Sequence, residues 1–268
     1  MKLKHGLLTI LLAQTGVTSA LAQDAMTLSD AWQWRAAVYA WFPNFRSTAN
    51  VPIPGGGKVS VDTDPSSYLS NLQFAYMGSL EGRKGRWSFV GDTVYADFDK
   101  ANPAITSIPV NAANVDLPVP VTAHVDLKGL VATFAAGYAL SPSPATRVDA
   151  VAGVRYLRLK AVLDAQFNAA VPGVPPPVHV DSTKEFWDGI VGLRGSSELG
   201  DNWFVPFHVD VGAGSSRFTW QAFGGVGYHF GWGDAMVGYR HLAYELHDDG
   251  PVSDLAFSGP VVGVAFRF

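Results

Sequence analysis

The chain has 268 residues, of which 48% are hydrophobic, and it contains no cysteine, which excludes disulfide bonds, thiolate catalysis and cysteine-bound metals. Its net charge is −4, and the first 22 residues hold two of the 19 basic residues and none of the 23 acidic ones, so the rest of the chain carries 17 against 23, or −6. An acidic chain argues against a nucleic-acid partner, which needs a basic surface.

The first 22 residues have the layout of a cleavable secretory signal. Lys2 and Lys4 precede an apolar stretch that ends near Leu12, and small residues flank an expected cut after Ala22. The apolar stretch is shorter than the ~20 residues that a membrane-spanning helix needs. We therefore expect residues 1–22 to be a signal peptide. The mature domain is then residues 23–268, without lipid attachment because no cysteine follows the cut.

Ten later segments alternate apolar and polar residues, as strands do when one face meets lipid and the other faces an interior. In the first, Trp34 and Val38 share the apolar face, while Arg35 and Tyr39 share the opposite one. Beyond the signal there is no uninterrupted run of 18 apolar residues, so helical membrane spans are not expected. The predicted strands are Trp32–Phe42, Leu72–Lys84, Trp87–Phe98, His124–Leu140, Arg147–Leu163, Phe186–Leu199, Trp203–Ala213, Phe218–Phe230, Ala235–Leu246 and Leu255–Phe268.

The connections between these segments alternate in length. Short turns follow Lys84, Leu140, Leu199 and Phe230, whereas residues 43–71, 99–123 and 164–183 form long loops. Short turns on one side and long loops on the other are typical of outer-membrane barrels, with the short turns facing the periplasm. The sequence therefore predicts an all-β, transmembrane, up-and-down antiparallel barrel of ten strands.

Two long loops are apolar and prone to form strands. They contain residues 104–121 and 169–180, and a hidden hairpin there would raise the strand number to twelve; eight also stays open. We expect some strands to extend beyond the membrane at these loops. In the first long loop, a serine or aspartate cap ahead of Tyr68 and Leu69 predicts one short helical turn.

Several segments together resemble a family of uncharacterised proteobacterial outer-membrane barrels. They include residues 39–43, the hairpin Leu80–Asp92, residues 152–156, residues 188–194 and residues 237–240. The strand style is also similar to OmpA-like and OmpX-like barrels. The resemblance covers nearly all of the mature chain and implies a fold and an outer-membrane location in a Gram-negative cell envelope. It implies no reaction.

The last predicted strand ends on an aromatic residue. Phe266 and Phe268 lie on its apolar face, and Arg267 lies on the other. In the barrels that the chain resembles, such a terminal aromatic strand is recognised by the barrel assembly machinery. The resemblance thus implies that Phe266 and Phe268 are an assembly signal, with the assembly machinery and outer-membrane lipid as partners.

Charged residues recur on the predicted inner faces, and their signs nearly alternate around the wall. They are Arg35, Glu81, Arg83, Asp92, Lys128, Asp149, Arg155, Asp188, Arg194, Asp210 and Arg240. A ten-stranded barrel is only slightly wider than the eight-stranded ones that side chains fill. Two interpretations stay open: a structural ionic network across the lumen, and a narrow small-solute pore lined by the same charges.

Two further functions are alternatives. Polar groups near the outer loops, Glu245 with His247, Asp248 and Asp249, His124 with Asp126, and His179 with Asp181, are of the types that form a hydrolytic site, a lipid-modifying site or a metal site. No protease or acyltransferase motif accompanies them, so we predict neither an enzyme nor a cofactor or metal site. The long apolar loops instead suit a surface adhesin or docking protein.

Aromatic residues cluster toward both ends of the predicted strands. Trp34, Trp87, Trp203 and Trp232 lie near the short turns, and Trp41, Tyr95 and Tyr244 lie toward the long loops. Aromatic girdles at the two membrane interfaces account for this distribution.

Overall fold

The computed structural model describes residues 29–51, 57–69, 72–101, 107–112, 115–143, 145–167, 178–247 and 252–268. The predicted signal peptide and its cut after Ala22 lie outside these residues. In chain order the elements are β1 (Gln33–Trp41), β2 (Asn44–Val51), β3 (Gly57–Thr63), α1 (Pro65–Tyr68), β4 (Leu72–Lys84), β5 (Trp87–Ala101), β6 (Ser107–Ala112), β7 (Val115–Pro142), β8 (Thr146–Phe167), β9 (Val178–Gly200), β10 (Trp203–Gly214), β11 (Phe218–Phe230), β12 (Gly233–Glu245) and β13 (Val252–Arg267).

Ten of these strands form a closed antiparallel barrel. The order around the wall is β1-β4-β5-β7-β8-β9-β10-β11-β12-β13, and β13 pairs with β1 to close it. The predicted barrel class and its ten strands are confirmed. Closure gives every strand two neighbours, which leaves no edge with unpaired backbone groups for hydrocarbon to meet.

The stagger of the strands sets the tilt of the wall. Arg35 of β1 pairs with Arg267 of β13 on one side and with Glu81 of β4 on the other. If the paired residues are followed from Glu81 through each strand around the barrel, the path returns to β13 at Leu255, which is twelve residues from Arg267. With ten strands, this stagger corresponds to a tilt of roughly 40° and a backbone radius of roughly 10 Å. Inward side chains of that wall can meet across the lumen.

The other described strands lie at the long-loop end. β2 continues the path of β1 along β13 after a break at Pro43, and β3 pairs with β2. β6 pairs with the beginning of β7. The first long loop and the apolar segment 104–121 thus add hairpins above the barrel rather than strands to its wall. Most of the second apolar loop, residues 168–177, lies outside the described residues. The predicted helical turn is present as α1, where the Ser66 hydroxyl donates to the Asp64 carboxylate at 2.6 Å.

Three strands extend past their predicted bounds, as expected of strands that flank the apolar loops. β7, β8 and β9 have 28, 22 and 23 residues, whereas a barrel strand crosses a bilayer in about 9–11 residues. Because they pair with one another along most of their lengths, they project beyond the barrel wall at the long-loop end as a three-stranded sheet.

The short turns lie where the sequence predicted them. Between β9 and β10, Asp201 and Asn202 both have positive φ, 50° and 69°, as a two-residue type I′ hairpin requires. Aspartate and asparagine tolerate this conformation better than most residues. The turn therefore fixes the register of the two strands.

The outer wall carries an apolar belt. Outward side chains that are about half exposed or more include Val38, Phe74, Phe134, Val191 and Val237. Trp87 and Trp203 pack against Tyr138 and Tyr228 near the short turns, with ring centroids 5.2 and 5.1 Å apart. So broad an exposed apolar surface is unsuited to water, and it fits a barrel that spans a membrane.

The predicted girdle at the other end needs a correction. Trp41 and Tyr244 point into the barrel and are buried, because their strand positions share the inner face with Tyr39 and Leu242. Tyr95 does lie outward, where its ring packs against Phe74. At that end, position in the chain alone does not distinguish a girdle residue from an interior one.

Candidate functional site

The lumen is the candidate site, because the structure brings ten of the eleven predicted inward charges onto its wall. Seven are buried, namely Glu81, Arg83, Asp149, Arg155, Asp188, Asp210 and Arg240. Arg35, Asp92 and Arg194 are partly exposed to the interior space. They form three groups at successive heights above the short turns.

Lys128 does not belong to this set, and its predicted position was wrong. Its ammonium bonds the Asp97 carboxylate at 2.7 Å, and half of its side chain is exposed. On β7 the inward residues are Val131 and Thr133, so the even-numbered Lys128 shares the outer face with Phe134. The residues of its parity, including Leu130, Phe134 and Leu140, form the apolar outer stripe of this strand, and that stripe predicts the outward position.

The lowest group, near the short turns, concentrates guanidinium groups around two pairs of carboxylates. Glu81 contacts Arg83 and accepts a bond of 2.7 Å from Arg194. Arg83 also reaches Asp149 at 2.7 Å, and Arg147 reaches it at 3.2 Å. These contacts tie β4 to β8 and β9 across the lumen, so they join strands that are not neighbours in the wall.

Asp234 is the centre of the same level on the opposite wall. It accepts from Arg267 at 2.8 Å and lies 3.3 Å from Arg35, so it links the two strands at the closing seam. The ring of His229 lies between Asp234 and Glu198, at 2.7 and 3.2 Å. Asp234 and Glu198 were missed by the sequence analysis. Asp234 is an even number of residues from Arg240 on the same strand, and this spacing would have predicted that both side chains face the lumen.

The middle group surrounds Arg240. Its guanidinium donates to Gln221 at 2.7 and 3.0 Å, to Tyr39 at 3.0 Å and to Asp92 at 3.1 Å. Tyr39 donates to Asp92 at 2.7 Å. Trp41 covers the cation, with its ring centroid 4.8 Å from the guanidinium carbon. This group joins β1, β5, β11 and β12, and it satisfies the charge of Arg240 from several directions.

The upper group is centred on a fully buried ion pair. Arg155 donates to both oxygens of Asp210 at 2.7 and 2.8 Å, and neither side chain has any exposed surface. His208 lies 2.5 Å from the same carboxylate. Asp188, next to Arg155 in the register, accepts from the backbone of Ser216 at 2.8 Å. Buried charges need such partners, since desolvation without them is very costly.

A cavity of about 250 Å³ separates the lowest group from Arg240. Its walls include the small side chains of Ala37, Ser79 and Ala135, which leave the space, and the charges of Arg194 and Glu81. It reaches Ser143 and Glu198 beside the short turns. The lower half of the lumen is therefore a chamber on the short-turn side, with charged side chains such as Arg194 and Glu81 in its wall.

Above this chamber, apolar side chains fill the lumen. Leu157, Leu242 and Tyr244 belong to one packed cluster that also includes Trp41, Val94 and Val131. Leu242 and Thr219 have 0% exposure, and Leu157 and Tyr244 have 1%. A continuous water path would expose inward side chains at this height. At the level of Arg155 and Leu242, the described side chains close the lumen.

The loop groups that suggested catalysis are only partly described. His247 is exposed, and Asp248 and Asp249 lie outside the described residues. His179 and Asp181 are exposed on β9, and Asp181 pairs with Lys160 at 3.1 Å; the side chain of His124 lies outside the described set. Within the described part of the chain, no group of three or more His, Asp or Glu residues is suited to hold a metal.

The chain was also compared with known proteins. No protein-family model and no curated protein matches the sequence. Solved structures of similar shape include the translocator domain of the autotransporter NalP from Neisseria meningitidis, at 13% identity over 88% of each chain with a TM-score of 0.40.

Two others are the attachment invasion locus protein Ail of Yersinia pestis and Neisserial surface protein A. Ail is 9% identical over 89% of this chain and 99% of its own, with a TM-score of 0.35. The Neisserial protein is 14% identical over 88% and 97%, with a TM-score of 0.33. The assignment of the barrel rests on its own strand ladder and apolar belt. Among the described residues, no helix has the length and apolarity that crossing a membrane requires.

Proposed function

We propose that the chain is an integral outer-membrane protein with a structural role, whose lumen is closed by its own side chains. The observation that carries this proposal is the fully buried layer around Arg155, Asp210 and Leu242. Ion pairs that join non-neighbouring strands suit a cross-linked wall. A filter for solutes instead needs charges that water can reach.

The location belongs to the same proposal. The apolar belt, the short turns on one side and the long loops on the other fit the outer membrane of a Gram-negative cell. Residues 1–22 would direct export and would be removed by cleavage after Ala22. Phe266 on the outer face of β13 and Phe268 just after that strand are exposed, and they would serve the barrel assembly machinery. Outer-membrane lipid is then the principal partner.

The narrow-pore alternative needs a route past the closed layer. Its support is the chamber of about 250 Å³, which a small solute would enter from the short-turn side. Planar-bilayer recording separates the two roles. We expect folded protein to give no current steps above those of protein-free bilayers. Stable unitary conductance in a heat-modifiable, folded preparation would establish the pore and overturn the closed barrel.

A second candidate function is docking at the cell surface. The specific observation is the projecting sheet of β7, β8 and β9, which extends well past the length that a membrane requires. Removing residues 104–121 would shorten this projection together with the β6 hairpin. Loss of cell or partner binding, with an unchanged barrel by gel mobility, would support docking; unchanged binding would exclude this segment.

A further inference from the structure

A histidine and a serine lie side by side on the outer wall. His241 of β12 and Ser258 of β13 are direct partners in the strand register, and Nδ1 of His241 lies 2.5 Å from Oγ of Ser258. Tyr239 and Val262, on the same faces of these two strands, are about half exposed. The pair therefore lies on the face that the apolar belt presents to lipid, outside the lumen network.

The pair lies near the long-loop limit of the belt. His241 is two residues beyond Tyr239, and four residues further along the strand Glu245 forms an exposed ion pair with Arg217 at 2.7 Å. This places the pair between acyl chains and the aqueous boundary, where ester groups of outer-leaflet lipid lie. An ionisable residue on a lipid-facing wall is costly, and such residues usually mark a function.

The neighbouring strand contributes an amide. Asn44 of β2 is the register partner of Ser258 on the side away from His241, and it is exposed. Cβ atoms of direct cross-strand partners lie about 4.5–5.5 Å apart, so the three polar side chains form one row. The ring of Trp220 packs on the imidazole with centroids 4.3 Å apart, which restricts its rotation.

We propose that His241 and Ser258 form an acyl-transfer site for ester-linked lipid. In the tautomer protonated at Nε2, Nδ1 of His241 accepts the Ser258 proton as Oγ attacks the ester carbonyl carbon. The carbon–oxygen bond to the alcohol breaks, and His241 returns that proton to the leaving alkoxide. Water then attacks the acyl-serine, and His241 moves its proton to Oγ, which releases a fatty acid. The Asn44 amide is placed to stabilise the oxyanion.

The experiment uses folded full-length protein in mixed micelles and two probes. An alkyl fluorophosphonate should attach covalently, and mass mapping should place it on Ser258. Hydrolysis of p-nitrophenyl palmitate should fall at least about 100-fold in Ser258→Ala and His241→Gln, which is the usual effect of losing a nucleophile or general base. Ser197→Ala is the matched control, since the Ser197 hydroxyl bonds the Thr146 hydroxyl at 2.9 Å near the short turns, away from His241.

Two results would overturn the site. One is wild-type protein that is heat-modifiable but takes no label at Ser258; the other is ester turnover that Ser258→Ala and His241→Gln leave unchanged. The label map needs only wild-type protein, so a variant that fails to fold does not obscure the outcome. Neither probe reports on the lumen, and the closed-barrel proposal therefore stands or falls separately.

Discussion

Asp210→Asn isolates the electrostatic role of the buried layer. The substitution keeps the size of the side chain and removes its charge. Arg155, which has no exposed surface, then loses its only anionic hydrogen-bond partner among the described residues and keeps a bond of 3.4 Å to Thr219. Removing one partner of a buried ion pair typically costs about 3–5 kcal/mol. We expect a loss of that size in the free energy of unfolding.

Glu245→Gln is the matched control. The Glu245 carboxylate bonds Arg217 at 2.7 Å, the same distance as in the buried pair, but these side chains are 46% and 61% exposed. An exposed pair contributes about 0–1 kcal/mol. The two variants therefore compare a buried and an exposed arginine–carboxylate pair at the same shortest N–O distance.

The assay is urea unfolding in lipid vesicles, followed by tryptophan fluorescence under conditions where folding is reversible. A double variant, Asp210→Leu with Arg155→Met, should recover most of the loss, because it removes both buried charges and retains apolar volume. Equal, small losses in Asp210→Asn and Glu245→Gln would refute the reasoning, since they would mean that water reaches Asp210.

Three more predictions test separate parts of the barrel. Gly227→Ala should lower the free energy of unfolding by about 1–3 kcal/mol, because a Cβ there would lie 2.3 Å from the Phe204 ring. Gly224→Ala is its control and should change this free energy little, because a Cβ there meets open space; urea midpoints measure both. Leu157→Ala should cost about 2–5 kcal/mol in the same titration, and a smaller loss would mean a loosely packed upper lumen. Lys128→Gln should lower the free energy of unfolding by less than about 1 kcal/mol, because its ion pair with Asp97 lies on the exposed outer face. A loss several times larger would indicate a buried position in the lumen.

Much of the architecture could be predicted because a barrel is encoded by alternation. Two strands, Leu72–Lys84 and Phe218–Phe230, have the predicted bounds to the residue, and each of them ends at a short turn. The long-loop ends of β7, β8 and β9 were predicted too short. The sequence predicted that strands would extend at the apolar loops but not where they would end, because the alternation continues through Val119 and Val121 of β7 and Leu163 of β8 into prolines and loop residues.

The sequence predicted which side chains face the lumen wherever the alternation along a strand was assigned correctly. Arg155 and Asp210 were placed on inner faces, but their pairing was not foreseeable, because they lie 55 residues apart on strands separated by β9. That contact depends on the stagger of the whole wall. The His241 and Ser258 pair escaped notice for a similar reason: each is an ordinary polar residue until the register of β12 and β13 joins them.

Closure of the lumen can be measured directly, because the chain has no cysteine of its own. Single cysteines at Ser79, in the chamber, and at Thr219, in the closed layer with 0% exposure, would be treated with a small, charged, water-soluble thiol reagent in folded protein. The closed barrel predicts rapid labelling at Ser79→Cys and labelling at Thr219→Cys only after unfolding. Comparable labelling at both positions in the folded barrel would contradict it.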